Sequence, residues 1–140
     1  MSNKKVKATL TGKMAFEMNL DGHPLVIDVD EDIGGENLGP RPKALLLSGL
    51  LGCTGLDLIS MLNKMKIQLD DFNIEAEAEE SKEHPIVYTK IHLIYTFKGK
   101  DLPEDKIKRA VTLSQEKYCG VSAMLEKAAP ITYEVQIEDK

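Results

Sequence analysis

At 140 residues and 42% hydrophobic, the chain suits one domain, 1–140, long enough to bury a core. A net charge of −5, no basic cluster and no basic-aromatic interleaving exclude a nucleic-acid surface. The longest apolar run, Ala44 to Leu56, falls short of the roughly 20 residues a bilayer span needs, and Met1 to Lys7 is polar and basic, so no membrane partner and a cytoplasmic location are expected.

Between Lys4 and Leu20 the apolar residues alternate with a break at Gly12 and Lys13, which predicts two short strands. Asp21-Gly22 is a tight-turn dipeptide, and Leu25, Ile27 and Val29 alternate after it as a third strand, giving an N-terminal three-stranded region over residues 4–30. Asp30 to Arg41 reads as a loop. Its acids Glu31, Asp32 and Glu36 are expected to be solvated and not to form a metal site.

A central helix follows over about residues 42–65. From Ala44 to Met65, leucine, isoleucine and methionine occupy nearly every position of a helical wheel, the pattern of a helix buried all round. Ser48, Gly49, Gly52 and Gly55 interrupt it, and each mid-helix glycine costs roughly 0.5–1 kcal/mol relative to alanine. Close approach of another backbone would offset that cost. Cys53 lies among these glycines, one turn from Asp57, the only charged residue between Ala44 and Asn63.

The C-terminal region, 71–138, continues with two strands. Phe72, Ile74, Ala76 and Ala78 alternate with acids, and Val87 to Phe97 alternates over a longer strand, the two forming an antiparallel pair across the SKEHP turn. His92 falls on the polar side of the second. Asp101 with Glu104 three positions later predicts a helix start, followed by an apolar face of Ile107, Ala110, Val111, Ser114 and Tyr118. Gly120 interrupts, and Val121, Met124, Leu125 and Ala128 mark a second short helix with Cys119 at its start. Ile131 to Ile137 closes the chain as a strand. The fold class is α+β, with mostly antiparallel sheets around a buried central helix.

Cys53 and Cys119 have no CxxC or Cys/His ligand spacing, and His23, His84 and His92 belong to no ligand set, which disfavours zinc. A thiol at a helix start, such as Cys119, gains from the free backbone N–H groups and macrodipole, and nearby Lys117 would act in the same direction. Cys53 is mid-helix and needs outside help to ionise. If the fold joins the two cysteines, one can be oxidised by a peroxide to a sulfenic acid that the other condenses with. If it keeps them apart, both are only packing.

GPRPKALLLSGLLGCTGLDLISML and SQEKYCGVSAMLEK together resemble the two cysteine motifs of the OsmC/Ohr family of osmotically inducible and organic-hydroperoxide-resistance proteins, with Gly120 where the family usually has proline. The resemblance implies an OsmC-like fold and an intertwined homodimer with its sites at the subunit interface. It makes Cys53 the peroxidatic and Cys119 the resolving thiol, with organic or fatty-acid hydroperoxides as substrates and a dithiol such as a lipoyl group as reductant, and it implies no metal and no organic cofactor. Pro42 is followed by Lys43 and Ala44 where the hydroperoxide-resistance branch has glutamate, and no arginine precedes Arg41, leaving Lys13 as the basic residue of the N-terminal hairpin. An alternative is a non-catalytic dimer that binds small apolar ligands. Hydrolysis through Cys53 lacks a histidine partner.

Overall fold

The structure, a computed structural model, describes residues 3–139. Its α+β chain divides into two compact units, Met1–Leu47 and Ser48–Lys140.

In the first unit β1 (Ala8–Leu10), β2 (Phe16–Leu20) and β3 (His23–Ile27) form an antiparallel sheet in that order. Asp21 and Gly22 turn β2 into β3 with φ of 54° and 86°, and the Gly22 N–H donates to Asn19 Oδ1 at 2.8 Å. β3 stops at Ile27, short of the expected Val29, because Asp28 redirects the chain. Its buried carboxylate accepts backbone N–H bonds from Val29 at 2.7 Å and from Glu36 and Leu38 at 3.1 Å each. Burial pushes this carboxyl up, but the three donors and the Arg41 guanidinium outweigh it and hold its pKa below the usual value. The loop packs so closely that a Cβ at Gly35 would collide with the Val29 carbonyl, and one at Gly39 with the Val26 carbonyl. Glu31, Asp32 and Glu36 are exposed, as their composition implies. Arg41 donates to the Gly39 carbonyl at 2.9 Å, within its own unit.

In the second unit β4 (Asp71–Glu80), β5 (Tyr88–Gly99) and β6 (Ile131–Asp139) form a sheet in that order. β4 and β5 are antiparallel, with Phe72 opposite Phe97 and Ile74 opposite Tyr95. β6 is parallel to β5, an arrangement that needs a long crossover. Two helices supply it, α2 (Glu104–Leu113) and α3 (Gly120–Glu126). One face of β5 is fully buried, Ile91, Leu93, Tyr95 and Phe97 being at most 1% exposed, and the Phe97 ring stacks on Phe72 at 4.6 Å. The other face is polar, and there His92 bonds Thr132 Oγ1 at 2.7 Å and Glu134 Oε1 at 2.8 Å.

Two local expectations change. Asp101 and Glu104 do not form a capping pair: Pro103 precedes the first turn without a side-chain cap, and Asp101, at φ 52°, uses its N–H on Asp139 Oδ1. In α3 the buried residue is Ser122, whereas Met124 is 68% exposed, because the helix turns toward polar partners described below.

The central helix α1 (Ala44–Lys64) also departs from expectation. Only Leu50, Thr54, Leu58 and Leu62, spaced by four, are buried. Leu46, Leu56 and Ile59 remain 49%, 75% and 38% exposed. A Cβ at Gly55 would make an ordinary contact with Ile74 Cδ1 at 3.4 Å, so the sheet does not require a glycine there. A Cβ at Gly49 or Gly52 would find open space, so no close approach within the chain accounts for them. With 21 residues α1 is long and apolar enough to cross a bilayer by length and composition, contrary to the reading of its uninterrupted run; its buried stripe nonetheless packs in the chain's own core.

Candidate active site

α1 carries three side chains of the candidate site. Thr54 lies on the buried stripe, 0% exposed, while Cys53 and Asp57, one turn apart, sit on its flank, partly buried. β5 supplies the Tyr95 hydroxyl, and the crossover supplies Ser114, Gln115, Cys119 and Ser122.

The crossover delivers Cys119 by a local widening of the helix. Residues Ser114–Tyr118 make a π turn, closed by Cys119 N–H donating to the Ser114 carbonyl at 2.8 Å across five residues. The backbone of Cys119 is extended, and its Sγ accepts the Ser122 N–H at 3.3 Å as the cap of α3. This places Cys119 Sγ, Cys53 Sγ and a carboxylate oxygen of Asp57 within 4.8 Å of one another. Both sequence-expected site residues are therefore brought together as free thiols, Cys53 partly accessible and Cys119 only 2% exposed.

Behind the thiols runs a buried hydroxyl chain whose hydrogens can be assigned by counting. Ser114 Oγ is 3.1 Å from Asp57 Oδ2 and donates its one hydrogen to the carboxylate. Thr54, 2.9 Å from Ser114 Oγ, must then donate to it, and Tyr95, 2.8 Å from Thr54, must donate to Thr54. Gln115 Nε2 donates to Tyr95 OH at 2.6 Å and to Thr54 Oγ1 at 3.2 Å, while its Oε1 accepts from Ser122 Oγ at 2.7 Å. The Ser114, Thr54 and Tyr95 hydroxyls all point toward the Asp57 carboxylate. Thr54, Tyr95 and Ser114 are 0% exposed and Ser122 is 1% exposed, so each bond satisfies a group that water does not reach. Burial, the largest influence, pushes the Tyr95 phenol above its usual value, keeping it a neutral donor.

The electrostatics at Cys119 are the reverse of the helix-start expectation. Burial, then its hydrogen bond with Cys53, and the nearby Cys53 and Asp57 charges push its thiol up to about 11 against the opposing Ser122 N–H. α3 is one short helix, and desolvation outweighs its first turn. Lys117 does not help: its ammonium lies 5.3 Å from the Tyr118 ring centroid, over that ring.

A cavity of about 550 Å³ adjoins the site, with Asp57, Met61, Met65, Leu113 and Tyr118 in its wall. Its wall is apolar except at Asp57, Ser60 and Lys64, and neither cysteine lines it.

Sequence reading singled out Cys53, Cys119 and the unusual carboxylate at Asp57. It missed Thr54, Tyr95, Ser114, Gln115 and Ser122 as a set. The available signal was polar residues on otherwise apolar faces, Thr54 in the leucine stripe of α1 and Ser114 on the buried face of the crossover.

Residues 34–134 match the family described as OsmC-like protein. The chain is 34% identical to Protein YhfA of Escherichia coli strain K12 over 116 residues, 83% of this chain and 84% of that protein. In fold it is similar to a hypothetical protein from Aquifex aeolicus VF5, with a TM-score of 0.87 and 26% identity, covering 100% of this chain and 99% of that one. It is also similar to the organic hydroperoxide resistance protein OhrB of Bacillus subtilis, at a TM-score of 0.64 and 21% identity over 95% of this chain and 98% of that one.

Proposed function

Since the chain belongs to the OsmC-like family, we propose that it is a thiol-dependent peroxidase that reduces organic or fatty-acid hydroperoxides. The observation that carries this reading is the meeting of Cys53, Cys119 and Asp57 within 4.8 Å beside an apolar cavity.

Cys53, the more accessible thiol, attacks the terminal peroxide oxygen. The S–O bond forms as the O–O bond breaks, giving a sulfenic acid and an alkoxide. The thiol proton passes to that alkoxide, which leaves as an alcohol. Asp57, held as an acceptor by Ser114 and one helical turn from Cys53, is the group positioned to relay it in concert with O–O cleavage.

Cys119 then displaces hydroxide from the Cys53 sulfenic acid, forming a disulfide and, with its own proton, water. Exchange with an external dithiol, such as a lipoyl group, restores both thiols and leaves that dithiol oxidised. The apolar wall of Met61, Met65 and Leu113 favours an alkyl hydroperoxide over hydrogen peroxide, since burying each methylene contributes about 0.8 kcal/mol.

A second copy of the chain completes this reading. Leu46, Leu56 and Ile59 and the open positions at Gly49 and Gly52 share one face of α1, where small residues let the same face of a partner approach. Such a homodimer would offset the cost of the glycines.

The same cavity suits a small apolar ligand that is bound without turnover, which is the competing reading. Steady-state reduction of cumene hydroperoxide with a dithiol separates the two. Cys53→Ser is expected to abolish turnover, and Cys119→Ser to permit one turnover and trap a sulfenic acid detectable with a dimedone probe. Equal turnover in Cys53→Ser would overturn the peroxidase.

A further inference from the structure

We propose that Cys53, Cys119 and Asp57 form a binding site for a thiophilic divalent cation, zinc in the first instance, occupied when both thiols are reduced. The donor atoms, two sulfurs and one carboxylate oxygen, come from two separate elements and lie within 4.8 Å of one another. Zinc–sulfur bonds of about 2.3 Å in a tetrahedron put sulfur atoms roughly 3.8 Å apart, so the site closes on the ion with movements of at most about 1 Å.

Three further observations support a cation here. Asp57 makes no ion pair among the described residues, although it is partly buried beside two groups that are anionic when deprotonated. Its carboxylate is fixed from behind by Ser114 and hence by the Thr54–Tyr95–Gln115 chain, the outer-shell support that holds a ligating carboxylate in place. Asp57 also borders a cavity of about 550 Å³, which gives an ion a route to this donor. Among the described residues these three are the only such donor group, and no histidine belongs to it.

Binding releases one proton from each thiol and leaves two thiolates, one carboxylate and an open fourth position for water. No oxidant or reductant is consumed. The metal-bound and disulfide states exclude each other because both use Cys53 and Cys119. A bound cation would therefore withhold both thiols from oxidation. The site stands on its own geometry and does not depend on the peroxidase reading.

The test is anaerobic titration of the reduced, metal-free protein with cobalt(II). The expected result is saturation at one ion per chain, with thiolate-to-cobalt charge-transfer absorption that zinc abolishes by displacement. Both thiols should lose reactivity toward a disulfide dye in the zinc-bound protein. Asp57→Asn should weaken binding at least about tenfold, and Cys53→Ser should remove the charge-transfer band. No charge-transfer absorption in the unsubstituted protein would overturn the site whether or not the variants fold, as would undiminished thiol reactivity with zinc present. A folded Asp57→Asn protein that binds with unchanged affinity would overturn the three-donor assignment.

Discussion

Ser114 donates its only hydroxyl hydrogen to Asp57 Oδ2 at 3.1 Å, and that bond orients the Thr54 and Tyr95 hydroxyls behind it. Thr54 must then donate to Ser114, and Tyr95 to Thr54. The carboxylate is thus fixed by a file of single-hydrogen donors anchored at the Gln115 amide.

Ser114→Ala breaks that file at its end. Thr54 loses its acceptor where water does not reach, and the partly buried Asp57 loses a donor, which should cost about 1–3 kcal/mol. Urea unfolding followed by circular dichroism should show a lower midpoint with an unchanged m-value. A midpoint equal to that of the unsubstituted protein would mean that the chain contributes nothing to stability.

The reduced protein should lose stability at alkaline pH through Cys119. Its folded pKa is raised from 9.0 to about 11, so the folded state holds this proton more tightly than the unfolded chain does. The contribution is fully present below about 9 and is lost as pH rises toward about 11. Thermal melts across that window, in the presence of reductant, should fall more steeply for the unsubstituted protein than for Cys119→Ser. Parallel curves would show that this thiol does not titrate differently on folding.

Leu56 is 75% exposed in the middle of an apolar helix face. Placing a charge there, as Leu56→Glu, should disrupt the proposed homodimer while leaving the monomer fold intact. Light scattering coupled to size exclusion should read a dimer for the unsubstituted chain and a monomer for the variant. A monomer in both would remove the second copy from the account.

Much of this architecture is legible from residue order. Alternation marked the strands because one face of β5 is wholly buried and the other polar, and Cys119 was placed at the start of α3 because Gly120 breaks the preceding helix. The parallel pairing of β6 was not legible, since apolar alternation in Ile131–Ile137 is the same in either direction. Nor was the π turn at Ser114–Tyr118, beyond which Cys119 is set beside Cys53 and Asp57. The thiol pair was visible only as two motifs resembling those of a known family. Local reasoning set Cys119 at a helix N-terminus and expected an acidified thiol, but the burial that reverses this depends on how the crossover packs. The wheel of α1 was read as buried on all sides, whereas a single chain covers only the Leu50–Thr54–Leu58–Leu62 stripe.

The central claim is that Cys53 and Cys119 act together on an organic hydroperoxide. Its most direct test is a free-thiol titration of the reduced, metal-free protein before and after one equivalent of cumene hydroperoxide, followed by mass spectrometry of the non-reduced digest. The account predicts rapid loss of both thiols and a peptide linked through Cys53 and Cys119. Two thiols that remain reactive, with no linked peptide, would contradict it.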